Sequence, residues 1–394
     1  MQLRRRIHLI LLGSVLADIW KPHEPTDELM EGRFHYPAII CDAGSTGSRI
    51  FAFYVQHENE PDDGRVSVEL MGRTNIGLSE FASTGSFEEA ADSLLPYISK
   101  GVVRLGPTVP ILIFATGGVR QLPGRIRDLL WDQMRNTFDS KLDGHLGRVE
   151  LSVLDGKDEA LFGLLSANYL LNDIRLDDIK SPLPEPVGVL DLGGSSLEVA
   201  VAGADNIVGS HDDILISFTG LGLRSIMERL AENDSANVCS FEIGFGEKCR
   251  KVIRSIILDD ADYKSKIGAV DLNRIEKFVA ISAFAYAMDF AHWLMAMKTA
   301  TAIASFSSEY PSPTITSMQE VCDTICSYPL LDALFRQHRF TTSREVPERC
   351  FHVCYVSEVL SILLESRVND TIVNFLVQVS LSIFYPYFIV GSWE

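Results

Sequence analysis

Ala38-Ile39-Ile40-Cys41-Asp42-Ala43-Gly44-Ser45-Thr46-Gly47-Ser48-Arg49 is the stretch whose reading decides the fold. Its first half is apolar and β-branched and reads as a buried strand, which Asp42-Ala43-Gly44 then turns sharply. Glycine lets backbone N–H groups approach an anion with no Cβ in the way, and Ser45, Thr46 and Ser48 add hydroxyls. Farther along, Val187-Gly188-Val189-Leu190-Asp191-Leu192-Gly193-Gly194-Ser195-Ser196 repeats the order of strand, aspartate, glycine and serine. A single loop of this kind is an ordinary strand end. Two of them predict a duplicated phosphate clamp with a metal ion between Asp42 and Asp191.

Around the first loop, strand-like runs at 38–41, 50–55, 66–70 and 111–114 alternate with helical stretches at 87–100 and 124–138. The pattern restarts after the proline-rich 181–186. Strands follow at 187–191, 197–202 and 214–218, then helices at 222–231 and 271–296. This order predicts two related α/β lobes joined by a helix near 158–172. The first lobe is read as 38–158 and the second as 159–394.

The N-terminus places Arg4 to Arg6 before an apolar run from Ile7 to Ala17, with small residues at a cleavage spacing. That run falls short of the roughly 20 residues a spanning helix needs, so 1–17 reads as a secretory signal and 18–37 as a linker. A second apolar stretch, 371–390, contains Asn374, Gln378 and Pro386 and reads as core rather than anchor. The sequence leaves membrane association open. With Lys plus Arg at 35 and Asp plus Glu at 53, the net charge is −18. Such a chain repels nucleic acid, and an anionic nucleotide must be held locally by amides, a divalent cation and a few arginines.

Seven cysteines agree with an oxidising compartment. Cys322 and Cys326 are four residues apart, as are Cys350 and Cys354. If those two helices run antiparallel, 326 faces 350 and 322 faces 354 in a two-rung ladder. Cys239 and Cys249 would close a small loop, and Cys41 reads as a buried thiol. No histidine or cysteine stands at zinc-finger spacing from the CxxxC pairs. Sequons at Asn233 and Asn369 fit a lumenal or extracellular protein.

Further blocks carry a resemblance. Ala115-Thr116-Gly117-Gly118-Val119-Arg120, Gly156-Lys157-Asp158-Glu159-Ala160-Leu161-Phe162-Gly163 and Ser282-Ala283-Phe284-Ala285-Tyr286-Ala287-Met288-Asp289-Phe290 follow DAGSTGSR and flank DLGGSSLE. In order and spacing the chain resembles the apyrase, or nucleoside triphosphate diphosphohydrolase, family, which includes lumenal guanosine and uridine diphosphatases. Matches also occur at 76–81, 325–330 and 348–364, so the likeness covers about 38–394. It implies an α/β, actin-like ATPase fold: two RNase H-like lobes with nucleotide and metal in the cleft. It also implies hydrolysis of a terminal phosphate by water, with no phosphoenzyme.

On that likeness Glu159 is the general base, and Thr116 and Ser196 position the water. Asp42 and Asp191 orient Ca²⁺ or Mg²⁺ through its water shell. Gly44, Ser45, Thr46, Gly47 and Ser48 on one loop, and Gly193, Gly194 and Ser195 on the other, hold phosphates beside Gly117. Arg49 and Arg120 are the cations expected near phosphate, with bracing of loops as the alternative the likeness leaves open, and Tyr286 and Tyr355 align with residues that stack on the base. Departures stand beside these matches. Glu198 replaces an amide that orients water, and the last residues, Gly391 to Glu394, match only the start of the family's final region. The chain beyond 378 is thus expected to be truncated or altered. The reaction expected is conversion of a nucleoside diphosphate, and also a triphosphate, by loss of its end phosphate in the secretory lumen or outside the cell. Two alternatives remain: an exopolyphosphatase or guanosine pentaphosphatase, whose corresponding motif carries a glutamate as at 198, and a non-catalytic nucleotide-binding protein.

Overall fold

The computed structural model describes residues 35–55, 66–142, 144–171, 182–183, 185–208, 210–233, 236–240, 246–267, 277–298, 315–327, 335–339, 341–342, 345–364 and 372–375. The expected leader, linker residues 18–34, the Asn369 sequon and 376–394 lie outside them. Of the linker, 35–37 fall inside, and there they open the first strand. The described residues form two compact units, one within 35–182 together with 207–212, the other within 183–206 and 213–375. The helix that carries Glu159 therefore belongs to the first unit, whereas the sequence reading set the boundary between 158 and 159, inside that helix.

The first unit runs β1 (His35–Gly44), β2 (Gly47–Val55), β3 (Val66–Arg73), α1 (Leu78–Thr84), α2 (Phe87–Leu105), β4 (Ile111–Ala115), α3 (Gly117–Arg120), α4 (Gly124–Lys141), β5 (Val149–Val153) and α5 (Gly156–Leu171). Its sheet has the order β3-β2-β1-β4-β5. The two hairpin pairs are antiparallel, and β4 and β5 add in parallel. β4 is buried along its whole length, which is why its sequence is continuously apolar rather than alternating. On α2, Ala90, Ala91, Leu94, Ile98, Gly101 and Leu105 form the buried stripe at helical spacing. Gly101 allows the close approach: a Cβ there would lie 2.8 Å from Ile39 Cδ1.

The second unit runs β6 (Gly188–Leu192), β7 (Ser196–Val201), β8 (Ile214–Thr219), α6 (Leu223–Glu232), α7 (Gly246–Asp259), α8 (Ala261–Lys266), β9 (Lys277–Ser282), α9 (Ala283–Lys298), α10 (Ile315–Cys326), α11 (Arg349–Leu363) and β10 (Ile372–Phe375). Its sheet order, β10-β9-β6-β7-β8, repeats the first when β6 is laid on β1. The pair directions repeat as well. The expected helix over 271–296 is corrected: 277–282 are a strand, and Ser282, at φ 57, turns the chain directly into α9. The part of 371–390 that is described, Ile372–Phe375, is a sheet strand. Among the described residues no helix is long and apolar enough to cross a membrane.

The cysteines pair as read: Cys239–Cys249, Cys322–Cys354 and Cys326–Cys350, with Cys41 free and buried. The inverted order of the two rungs makes α10 and α11 antiparallel. Helix α11 is buried on nearly every side, so it sits inside the second core. It takes charge in with it. Arg349 donates through Nε to Thr341 Oγ1 (3.0 Å) and approaches His352 Nδ1 (3.3 Å), and Arg254 pairs with Glu358 at 2.7 Å.

Candidate functional site

In the first unit, register places Gly44 opposite Gly47, so Ser45 and Thr46 form the tip of the β1–β2 hairpin. Two glycines from other segments crowd this tip. A Cβ on Gly77, which caps α1, would lie 2.2 Å from Ser45 O, and one on Gly118 would lie 2.9 Å from Ser45 Cα. Gly47 itself has a positive φ of 156, and a Cβ there would lie 2.3 Å from Thr74 O. The hairpin is also tied to the β3–α1 turn, since Ser48 N–H donates to Thr74 Oγ1 at 2.9 Å and Thr74 N–H to Ser48 O at 2.8 Å.

Strand alternation sorts the side chains. Asp42 and Arg49 are cross-strand partners on one face, and Arg49 Nη1 donates to Asp42 Oδ2 at 3.2 Å. Ser48, one residue out of phase, points to the other face and is fully buried there. The expectation that the Ser48 hydroxyl meets phosphate is corrected for that reason. Burial raises the Asp42 carboxyl above its ordinary pKa, and Arg49 opposes that rise only in part.

Thr116 follows β4, its N–H donating to Ala43 O at 3.2 Å, and Gly117 opens α3. Glu159 lies in the first turn of α5, buried to 8% exposure, with its N–H donating to Asp155 O at 3.0 Å. Arg120, expected near phosphate, instead directs Nη1 to Leu154 O at 2.9 Å and Glu159 Oε2 at 3.0 Å. Asp42, Thr116, Arg120 and Glu159 therefore lie at or just beyond the C-terminal ends of β1, β4 and β5 of one sheet.

The second unit repeats the hairpin with altered chemistry. Asp191, 4% exposed, pairs across strands with Glu198, 2% exposed, and Glu198 occupies the position of Arg49. Ser217, next in that row, donates through Oγ to Glu198 Oε1 at 2.9 Å. At the tip, Gly193 N–H donates to Ser196 O at 3.0 Å, so this amide is spent inside the loop. The first-turn amides of α6 are also occupied: Leu223 N–H donates to Gly193 O (2.9 Å) and Arg224 N–H to Gly194 O (2.8 Å). Gly222 allows this contact, since its Cβ would fall 2.2 Å from Ser195 N. Ser195 and Ser196 are buried beside it.

Tyr286 is half-buried on α9. Tyr355 is different: it is fully buried on α11, stacked on Phe351 at 5.6 Å, and its hydroxyl donates to Leu221 O. Its expected base-stacking role is corrected to a core role, because both ring and hydroxyl are already engaged. Burial pushes its phenol far above the usual range.

The carboxylate oxygens of Asp42 and of Asp191 are each hard donors of the kind a divalent cation takes. The sulfurs of Cys322, Cys326 and Cys354 also lie within 4.8 Å of one another, but all are spent in disulfides. Sequence reasoning missed the engagement of Glu159 by Arg120 and of Glu198 by Ser217. The first spans loops distant in sequence; the second follows from register once the β7–β8 pairing is known.

Comparison with known proteins agrees with this architecture. Residues 29–216 match the GDA1/CD39 (nucleoside phosphatase) family. A nucleoside-triphosphatase of Pisum sativum is 31% identical over 169 residues, covering 42% of this chain and 36% of that protein. The nucleoside-diphosphatase mig-23 of Caenorhabditis briggsae is 25% identical over 233 residues, covering 54% of this chain and 40% of that protein. The chain thus spans 36% and 40% of the length of these relatives. Among solved structures, an exopolyphosphatase from Cytophaga hutchinsonii superposes with a TM-score of 0.57 at 14% identity, covering 91% of this chain and 99% of that one. Nucleoside triphosphate hydrolase from Neospora caninum superposes with a TM-score of 0.54, also at 14% identity, covering 94% and 92%. At such identities the likeness speaks for the fold alone, and that fold is the actin-like ATPase α/β type.

Proposed function

From the match of residues 29–216 to the nucleoside phosphatase family, we propose that this chain hydrolyses the terminal phosphoanhydride of nucleoside diphosphates, GDP or UDP, and also of triphosphates. The observation that carries the reading is the duplication itself. A buried aspartate leads a glycine-and-hydroxyl hairpin at the same place in two sheets of the same topology, and one unit adds a buried glutamate at a neighbouring loop.

Phosphoryl transfer to water needs a base, donors for the oxygens of the moving group, and neutralisation of their charge. Glu159 accepts the proton of the attacking water, and Thr116 and Ser196 orient that water. Amides and hydroxyls at Gly44 to Gly47 and at Gly194 and Ser195 receive phosphate oxygens. Asp42 and Asp191 are the carboxylates offered to Ca²⁺ or Mg²⁺, which when bound supplies charge neutralisation. Three disulfides support a setting in the secretory lumen or outside the cell.

The test is phosphate release by wild type and Glu159→Gln with and without Ca²⁺ or Mg²⁺, across nucleoside di- and triphosphates and polyphosphate. Loss of the base is expected to lower the rate about 10²–10⁴-fold while nucleotide binding persists. Retention of more than about a tenth of the rate would remove Glu159 from this role. Glu198 favours a second reading, polyphosphate hydrolysis, and preference for polyphosphate over nucleotides in the same panel would select it.

A further inference from the structure

The guanidinium of Arg120 is directed at the turn that follows β5. We infer that Arg120 is a positioning residue that aims the Glu159 carboxylate, and that it is not a phosphate ligand. The inference rests on Glu159 acting as the base.

Nη1 divides its donation between Leu154 O at 2.9 Å and Glu159 Oε2 at 3.0 Å. These acceptors bracket the turn from β5 into α5, so one guanidinium fixes both the entry to the helix and the side chain of its first turn. The loops involved are already stitched by backbone bonds: Leu154 N–H donates to Ala115 O at 2.9 Å and Thr116 N–H to Ala43 O at 3.2 Å. Arg120 adds the side-chain link from the loop after β4 to the loop after β5. Neither partner is a surface group, with side chains 17% and 10% exposed. A pair this shielded keeps more of its attraction than an exposed one.

A glutamate in the first turn of a helix has three side-chain torsions to settle, and the macrodipole stabilises its charge without choosing a rotamer. A hydrogen bond to one carboxylate oxygen does choose. Arg120 takes Oε2 and so selects one orientation of the carboxylate. A guanidinium already committed to a carboxylate also brings little net charge to a phosphate.

The experiment compares wild type, Arg120→Met, Arg120→Lys and Glu159→Gln for kcat, KM and nucleotide affinity, with thermal melting as a control for folding. Misplacing a reacting group by about 1 Å costs on the order of 10²-fold, so Arg120→Met is expected to lower kcat by roughly that factor with KM within about twofold of wild type. Arg120→Lys, which restores one cationic donor, is expected to recover part of kcat. A phosphate ligand would behave differently. A rise of KM or loss of nucleotide affinity of about tenfold with kcat unchanged in Arg120→Met would overturn the inference. So would an unchanged kcat in a folded Arg120→Met, or no recovery with lysine. If Arg120→Met does not fold, the lysine variant carries the same comparison. An active Glu159→Gln overturns the underlying mechanism and this inference with it, whereas an inactive Glu159→Gln beside an unaffected Arg120→Met overturns the inference alone.

Discussion

The two rungs between α10 and α11 are nested, and nesting makes a quantitative prediction. Cys326–Cys350 spans 24 residues and Cys322–Cys354 spans 32. On the chain-entropy relation, closing either loop in an otherwise open chain is worth about 3.5 or 3.7 kcal/mol. With one rung in place, the other closes only the ring through 322–326 and 350–354, roughly nine residues, worth about 2.6 kcal/mol. Replacing one pair of cysteines by alanine should therefore cost about 2.6 kcal/mol, and replacing both about 6 kcal/mol. The fourfold variant then loses about 1 kcal/mol more than the two pairs summed. Packing lost with each pair enters both sides of that comparison and cancels. The rungs do touch, with Cys326 Sγ 3.3 Å from Cys354 Sγ, so the same set is also measured reduced, where any packing coupling survives and closure coupling does not. Hydrogen exchange of α11 amides, followed by mass spectrometry, reports opening of the second unit without requiring the whole chain to unfold in one step. Additivity within about 0.3 kcal/mol in the oxidised set would refute nested closure.

Gly77→Ala and Gly222→Ala each drive a Cβ to 2.2 Å from hairpin backbone, and each is expected to lower phosphate release on the order of 10²-fold. Gly124→Ala, whose Cβ would meet only Arg127 Nη2 at 3.9 Å, should leave it unchanged, and equal losses in all three would remove the steric argument. Burial holds His352 below its ordinary pKa of about 6.5 despite Glu348 and Glu345, with Arg349 acting in the same sense as burial. The unfolded chain therefore binds the proton more readily, so this contribution to stability is whole above about pH 6.5 and is lost as pH falls below it. His352→Gln should flatten the urea midpoint over that window, and an unchanged slope would refute the assignment. Tyr355→Phe strips the donor from Leu221 O and should cost about 1–3 kcal/mol; a loss below about 0.3 kcal/mol would return the hydroxyl to solvent.

The features readable in the sequence were local or periodic. The two hairpins carry their turn residues at fixed offsets from an aspartate, and α2 and α4 carry apolar stripes at helical spacing. The cysteine ladder needed only the i, i+4 repeat and an antiparallel pairing. What escaped was set by distant partners. Lys277 to Ser282 merges into the apolar run of α9, and a strand buried on both faces has no alternation to separate it from a buried helix. Val149 to Val153 is a five-residue strand with a glutamate inside, recognisable only beside β4. Tyr355 matched a family motif, yet α11 turns it into the core. Ser48 sits one residue from Arg49 in a promising loop, and strand alternation alone sends it to the opposite face.

All three disulfides join residues of the second unit, while the one free cysteine is in the first. During synthesis residues 35–171 are made before Cys239, the first of the bridged cysteines, and carry no disulfide. Their carboxylates, hairpin and Arg120 clip are assembled by packing and hydrogen bonds alone. Helix α11 is fastened to α10 by two bridges that form only under oxidation. Maturation thus has two clocks, one set by translation and one by the supply of oxidant. A failing oxidant supply would leave the first sheet and its hairpin in place and the second unit on an unlocked core.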